Sequence, residues 1–434
     1  MSERAVDPSR PSASARGHRV HPAWWVAAVV FLAIFGAAGF RAAPGALMVP
    51  LHDEFGWSTT VMSAAVSVNL LLFGLMAPFA AALMDRLGIR LVVSGALTLI
   101  ALGSAGSVVM TASWQLFVFW GLLIGTGTGS MALVLAATVT NRWFVRRRGL
   151  VMGVLTAGSA TGQLVILPPV AALADGVGWR VASLVIGGVA LLAVPLVWLV
   201  VRDHPADRGA LPYGADEATY VAPPVATGGA FARAVDGLRY AVRQRAFWAL
   251  AAAFAICGAT TNGLIGVHFI PSAHDHGMPE TTAAGLLAVV GVFDIVGTIA
   301  SGWLTDSVDP RLLLLAYYAF RGVGLLLLPS LLSATMHPSM VLFVVVYGLD
   351  WVATVPPTAA LCRELFGERG TIVFGWVFAS HQVGAALAAF AAGVVRDTFG
   401  TYSYAFWGGA ALCGVAAVVS LLARPRPAAA LADA

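Results

Sequence analysis

Read for the alternation of apolar and polar residues, the chain is a succession of long apolar runs separated by short polar turns. The runs lie near 24–48, 60–83, 90–111, 114–138, 149–172, 179–201, 246–271, 281–304, 311–332, 338–360, 370–394 and 401–423. About 20 consecutive apolar residues suffice for a helix to cross the hydrocarbon core, so the pattern predicts twelve membrane spans. Residues 1–23 are polar and rich in Pro, Ser and Arg, and the first run is long enough to span, so a retained membrane helix is expected rather than a cleavable signal. The segment 202–245, rich in Pro, Ala, Asp and Arg, has no span of its own. The expected organisation is therefore a tail at 1–23, a six-helix bundle at 24–201, a linker at 202–245, a second six-helix bundle at 246–424 and a tail at 425–434.

The second half echoes the first. In span 8, GVFDIVGTIASGWLTD from Gly291 to Asp306 ends in a turn that reads Gly302, Leu304, Asp306, Asp309, Arg311; moving back by the step from Asp306 to Asp85, the chain reads Ala81, Leu83, Asp85, Arg86, Gly88, Arg90. The same step carries Arg142 onto Arg363, Arg148 onto Arg369 and Gly149 onto Gly370. Two loops thus keep one register, as in carriers built from repeated halves.

Composition fits a lipid environment. Of 434 residues, 59% are hydrophobic and 11% charged, against about 25% charged in a soluble domain; mean hydropathy is +0.85. All 25 basic residues are arginine, which keeps its charge in proteins, so a proton-carrying side chain must be a carboxylate or a histidine. With both termini cytoplasmic, 21 arginines fall on inner segments and only Arg180 and Arg396 on outer loops; that bias sets the expected orientation in the cell membrane, inner or plasma. Cys257, Cys362 and Cys413 are far apart and odd in number, which points to no disulfide and no metal.

Two six-helix halves, a basic linker, the Leu83, Asp85, Arg86, Gly88, Arg90 loop and its echo after span 8 resemble the major facilitator superfamily. More narrowly, FGWS at 55–58, the run from Arg146 to Gln163 and the Gly291, Asp294, Gly302, Asp306 pattern resemble the monocarboxylate transporter family and its bacterial relatives. The chain departs from these patterns at Ala81, where the superfamily has glycine, and at Thr298, where monocarboxylate carriers often have arginine. The resemblance implies a cavity lined by spans 1, 4, 7 and 10. It also implies a gate between the halves formed by Asp85, Arg86 and Arg90 after span 2 and by Asp306 and Arg311 after span 8.

Charges in the spans carry the candidate chemistry, because a charge at mid-bilayer costs at least about 2.5 kcal/mol and is paired, functional or both. There are four: Arg41, Asp294, Arg321 and Asp350. Arg41 lies on span 1 in a stretch loosened by Gly36, Gly39, Pro44 and Gly45; its guanidinium can hold a substrate carboxylate bidentately, or it can snorkel to the outer interface. Asp294 either carries the coupling proton, as a carboxyl in a dry interior can, or forms a permanent ion pair with Arg321. Asp350, ahead of Pro356 and Pro357, which interrupt the helical ladder, is either a second acid of the cavity or the partner of Arg321. His381 is the reserve proton carrier, with a packing role as the alternative; a packing role is also the plainer reading of His268. Gln382 stands beside His381 in span 11. Asn262, Gln163 and Asn69 are candidate neutral substrate contacts, or interhelical hydrogen bonds.

Other signals carry less. GTGTG at 125–129 lies inside an apolar span with no preceding strand, so it reads as small-residue packing rather than a nucleotide loop. Gly153, Gly158 and Gly162 read as a packing face. His274, Asp275 and His276 form a loop cluster without further ligands at metal spacing.

The sequence therefore predicts an all-α integral membrane carrier working by alternating access, moving a small organic anion such as a monocarboxylate together with a proton. It has no enzymatic constellation, no cofactor or metal, and no nucleic-acid partner. The alternatives on the same fold and composition are a proton-driven exporter of amphiphiles and, less favoured, a non-transporting membrane sensor.

Overall fold

The computed structural model describes residues 20–131, 133–216, 230–305 and 307–423. They form the helices α1 (Pro22–Phe55), α2 (Thr59–Leu87), α3 (Ile89–Ser107), α4 (Ser113–Trp143), α5 (Arg148–Gly176), α6 (Trp179–Val200), α7 (Arg245–Asp275), α8 (Glu280–Thr305), α9 (Pro310–Leu331), α10 (Pro338–Phe366), α11 (Gly370–Phe399) and α12 (Ser403–Ser420). Among the described residues, eleven are long and apolar enough to cross a membrane; the twelfth, α5, has its apolar stretch at Val165–Gly176. Each predicted span falls on one of these helices, the tenth with a turn at 351–354 inside it. Several overrun their predicted ends, because apolarity is not what stops them. α1 continues past 48 to Phe55 and α11 past 394 to Phe399, each ending where a glycine takes the left-handed conformation, Gly56 at φ 66° and Gly400 at φ 71°.

Helices pack through small residues, as they do where lipid removes the hydrophobic drive between them. On α4 the GTGTG run does this: Gly125 lies on Asn69 and Leu72, Gly127 on Ala96 and Ile100, and Gly129 on Leu72 and Phe73. On α5, Gly158 and Gly162 face Phe31, Phe35 and Ala38 of α1, whereas Gly153 has no close neighbour. In the second half, Gly258 and Gly263 of α7 abut the carbonyls of His381 and Ala385 on α11, and Gly297 of α8 abuts that of Leu349 on α10.

The end of the bundle that carries the segment between α6 and α7 is the linker face, and the opposite end is the far face. At the far face the two halves are closed on each other. Gly45 of α1 packs on the Val267 carbonyl of α7, and Gly393 of α11 on Ser63 of α2. Ala46, Leu167 and Ala171 share a core with Leu264, Ala283 and Ala284 of the second half. The Asp397 carboxylate of α11 accepts the N–H groups of Thr59 (3.2 Å) and Thr60 (2.7 Å), capping α2 across the boundary.

The linker holds more structure than its composition predicts. Tyr213 exchanges backbone hydrogen bonds with Trp143 (2.8 Å) and Val145 (2.9 Å), and its ring meets His21, Trp24 and Phe144. Residues Ala230–Ala241 form an amphipathic helix beneath α2 and α11: Phe231 lies 5.4 Å from Phe79, and the Trp376 indole donates to the Ala234 carbonyl (2.8 Å).

Candidate functional site

The site is built around a break in α10. Its first segment, Pro338–Asp350, ends in a turn at 351–354, and the second, Val355–Phe366, begins with Pro356 and Pro357 in its first turn. Neither proline has an N–H, so the carbonyls one turn earlier lose their helical donors, and in a membrane interior every such group must find a partner inside the protein. Three side chains from α8 and α9 satisfy the break. The Ser301 hydroxyl donates to the Ala353 carbonyl (2.5 Å). Arg321 donates to the carbonyls of Asp350 (2.6 Å) and Trp351 (3.3 Å). Asp294 accepts the Val352 N–H at Oδ1 (3.0 Å), where the Thr298 hydroxyl also donates (3.0 Å).

The ion pair belongs to Arg321 and Asp350. Nε stands 2.6 Å from Oδ2, with the two side chains 0% and 6% exposed, and a fourth guanidinium contact goes to Cys257 Sγ of α7 (3.0 Å). That sulfur also lies 3.2 Å from the Thr354 hydroxyl. Asp294, also buried, has neutral donors instead of a guanidinium. The pair floors a crevice of ≈ 270 Å³ between α9 and α10, lined also by Phe320, Gly324, Leu342 and Tyr347, with Phe320 and Leu342 on the lipid-facing surface.

Ser301 and Thr354 were not singled out in the sequence, and Thr298 and Cys257 were named there only as a departure from the family pattern and as an isolated cysteine, although a signal for two of the four was present. Thr298 and Ser301 follow Asp294 by one and two helical turns, on the same face of α8, opposite a double proline that predicts bare carbonyls. Cys257 and Thr354 had no such signal, because only the crossing of α7, α9 and α10 brings them together.

The remaining candidates separate. Arg41 lies on α1 and Gln163 on α5, but their side chains lie outside the described residues. Asn69 is buried, its amide donating to the Trp120 carbonyl (2.7 Å) within the first half. Asn262 is half-buried on the π-helical turn Ala259–Ile265 in the middle of α7. The His381 imidazole is buried, stacked on Phe378 at 5.7 Å and tilted against Phe254 at 5.0 Å. Its neighbour Gln382 is buried under Gly74 of α2, and its amide makes no hydrogen bond among the described residues. His268 is buried and donates from Nε2 to the Ala389 carbonyl (2.8 Å).

At the linker face, Asp85 pairs with Arg142 of α4 (2.7 Å), a partner in its own half. Arg86 is exposed, and Arg90 lies over the Trp198 ring at 4.6 Å. Arg311 bridges Asp309 (3.3 Å) and Glu364 (2.7 Å) and donates to the Ala423 carbonyl (2.7 Å). Asp306 lies outside the described residues.

Twelve helices, eleven of them long and apolar enough to cross a membrane among the described residues, hold polar partners gathered at a broken helix in their midst. Residues 30–374 match the family model of the Major Facilitator Superfamily, and the chain belongs to that family; it is a transporter, not an enzyme. It is similar to the MFS-type transporter YcxA of Bacillus subtilis (strain 168), with 27% identity over 92% of this chain and 94% of that one. It is also similar to monocarboxylate transporter 13 of Rattus norvegicus, with 29% identity over 90% and 87%. Among solved structures, a bacterial homolog to the human lysosomal transporter Spinster aligns with a TM-score of 0.69 at 15% identity, over 94% of this chain and 97% of that one. A D-xylose-proton symporter aligns with a TM-score of 0.69 at 14% identity, over 93% and 98%. At such identity these two show the fold alone.

Proposed function

We propose that the protein is a proton-coupled carrier of small organic anions, of the monocarboxylate class, working by alternating access with its linker face in the cytoplasm. The observation that carries the coupling is the division of labour between two buried carboxylates. Asp350 neutralises Arg321, which leaves Asp294 with only hydroxyl and amide donors, so a proton can enter and leave Asp294 without breaking an ion pair. Because its acceptor oxygen also holds Val352 in the break of α10, protonation weakens a hydrogen bond at the point where that helix bends. Charge on Asp294 is thereby linked to the geometry of a helix that the family resemblance places along the cavity.

Arg41, on α1 between Gly39 and Pro44, is the proposed anchor for the substrate carboxylate, with Asn262 and Gln163 as neutral contacts; Asp350 serves the supporting pair. The monocarboxylate transporters among the similar proteins support this substrate class.

Reconstituted vesicles test both roles. Asp294→Asn should abolish uphill uptake driven by a pH gradient and retain substrate exchange, which needs no net protonation cycle; intact gradient-driven uptake would remove Asp294 from the mechanism. Arg41→Gln should weaken binding of a carboxylate by roughly ten- to a hundred-fold, the equivalent of about 1.5 to 3 kcal/mol for a charge-assisted hydrogen bond. Binding of the amide analogue should change far less. Equal loss of acid and amide would make Arg41 a structural residue.

A further inference from the structure

Glu280 opens α8 at the far face, where the two halves meet. Its side chain is only 8% exposed, with His274 Nδ1 of α7 standing 3.7 Å from Oε1. Its second oxygen, Oε2, has no hydrogen-bond partner among the described residues. Across the boundary the first half presents two more carboxylates, Asp175 at the end of α5 and Asp53 near the end of α1, both exposed and both near enough to act on Glu280 electrostatically. Asp175 follows Ala171, which is packed against α8 in the shared core, by one helical turn. At the same face Arg180 is paired with Glu54 (2.5 Å) and Arg396 with Asp275 (2.6 Å).

An ionised carboxylate so placed would lose its water, leave one oxygen without a donor and face two like charges, each unfavourable to the charged form. A neutral carboxyl is buried at a far smaller cost and feels no like-charge repulsion. If the halves part at this face, water reaches Glu280 and Asp53 and Asp175 recede, so the charged form is favoured only in the open mouth. The closed arrangement therefore binds a proton that the open arrangement releases, and by linkage the proton stabilises closure.

We propose that Glu280 is the proton-binding site of an external gate: protonated, it is buried and the far mouth stays shut; ionised, it draws in water and drives the halves apart. The proposal rests on the alternating-access reading, but it assigns to the gate a second titrating carboxylate, distinct from Asp294. External acidity then acts directly on the gate, before any proton reaches the middle of the bundle.

Nitroxide labels on cysteines placed at Val177 and Met336, which are 67% and 55% exposed in far-face turns of the first and second halves, report the mouth by pulsed dipolar spectroscopy in nanodiscs; the three native cysteines are buried. Between pH 5.5 and 8.5 the long-distance population of the parent should grow with pH. Its ratio to the short-distance population should rise by up to about ten-fold per pH unit, the limit for a single proton. Glu280→Gln should hold the short distance throughout, and Asp53→Asn with Asp175→Asn should shrink the pH-driven rise in that ratio, because the closed arrangement then binds the proton less tightly. A parent distribution that ignores pH, or a Gln variant that follows the parent, overturns the proposal. Asp294→Asn in the same experiment should leave the transition in place, so failure of the coupling mechanism and failure of the gate give different results.

Discussion

Asp350→Asn removes the negative charge that neutralises a fully buried guanidinium, and the contacts around Arg321 bound the cost. Breaking a buried ion pair by taking away one partner costs about 3 to 5 kcal/mol. Arg321 retains the Asp350 and Trp351 carbonyls and the Cys257 sulfur as acceptors, so the cost belongs at the lower end, about 3 kcal/mol, or roughly two factors of ten in the folded-to-unfolded ratio. Asp294→Asn is the control. The amide keeps an oxygen for Thr298 and Val352, so the loss is that of strength in ordinary hydrogen bonds, about 1 kcal/mol. Reversible unfolding of the purified protein in mixed micelles, followed by tryptophan fluorescence, measures both. Adding Arg321→Gln to Asp350→Asn removes the stranded charge and should restore most of the loss. An Asp350→Asn variant within about 1 kcal/mol of the parent, or an Asp294→Asn variant that falls as far, would refute the assignment of the pair.

Cysteines at Ala206, exposed in the linker, and at Met336, exposed between α9 and α10, should react with an impermeant maleimide from opposite sides of the membrane; labelling from one side would sink the topology. Asp397→Ala removes the cap that α11 lends to α2 at the closed mouth, worth about 0.5 to 2 kcal/mol for an N-terminal cap. In the spin-label experiment it should raise the open population by roughly two- to thirty-fold, and an unchanged distribution would mean that the contact forms in both states.

Sequence periodicity was enough for the membrane class, the succession of helices and the burial of Asp294, Arg321 and Asp350, because lipid forbids unpaired backbone and penalises charge along each span independently of its neighbours; Glu280, at the very start of α8, escaped it. The linker helix at Ala230–Ala241 escaped that reading: its polar face resembles any solvated segment until α2 and α11 supply the surface for its apolar one. The double proline at 356–357 likewise sufficed for a break in α10. What the sequence left open was the partner of each charge. Asp294 and Asp350 are both buried aspartates on helices adjacent to α9, and no spacing along the chain distinguishes them. The glycine contact of Gly297 with Leu349 sets the approach of α8 to α10, and that approach aims Asp294 at the Val352 amide while leaving Asp350 to Arg321. Sequence determines which groups cannot remain alone in the membrane, since burial is a property of each residue's place on its helix; which group ends the search of which other is decided only by helix crossing, because a hydrogen bond forms over about 3 Å and depends on where two backbones meet.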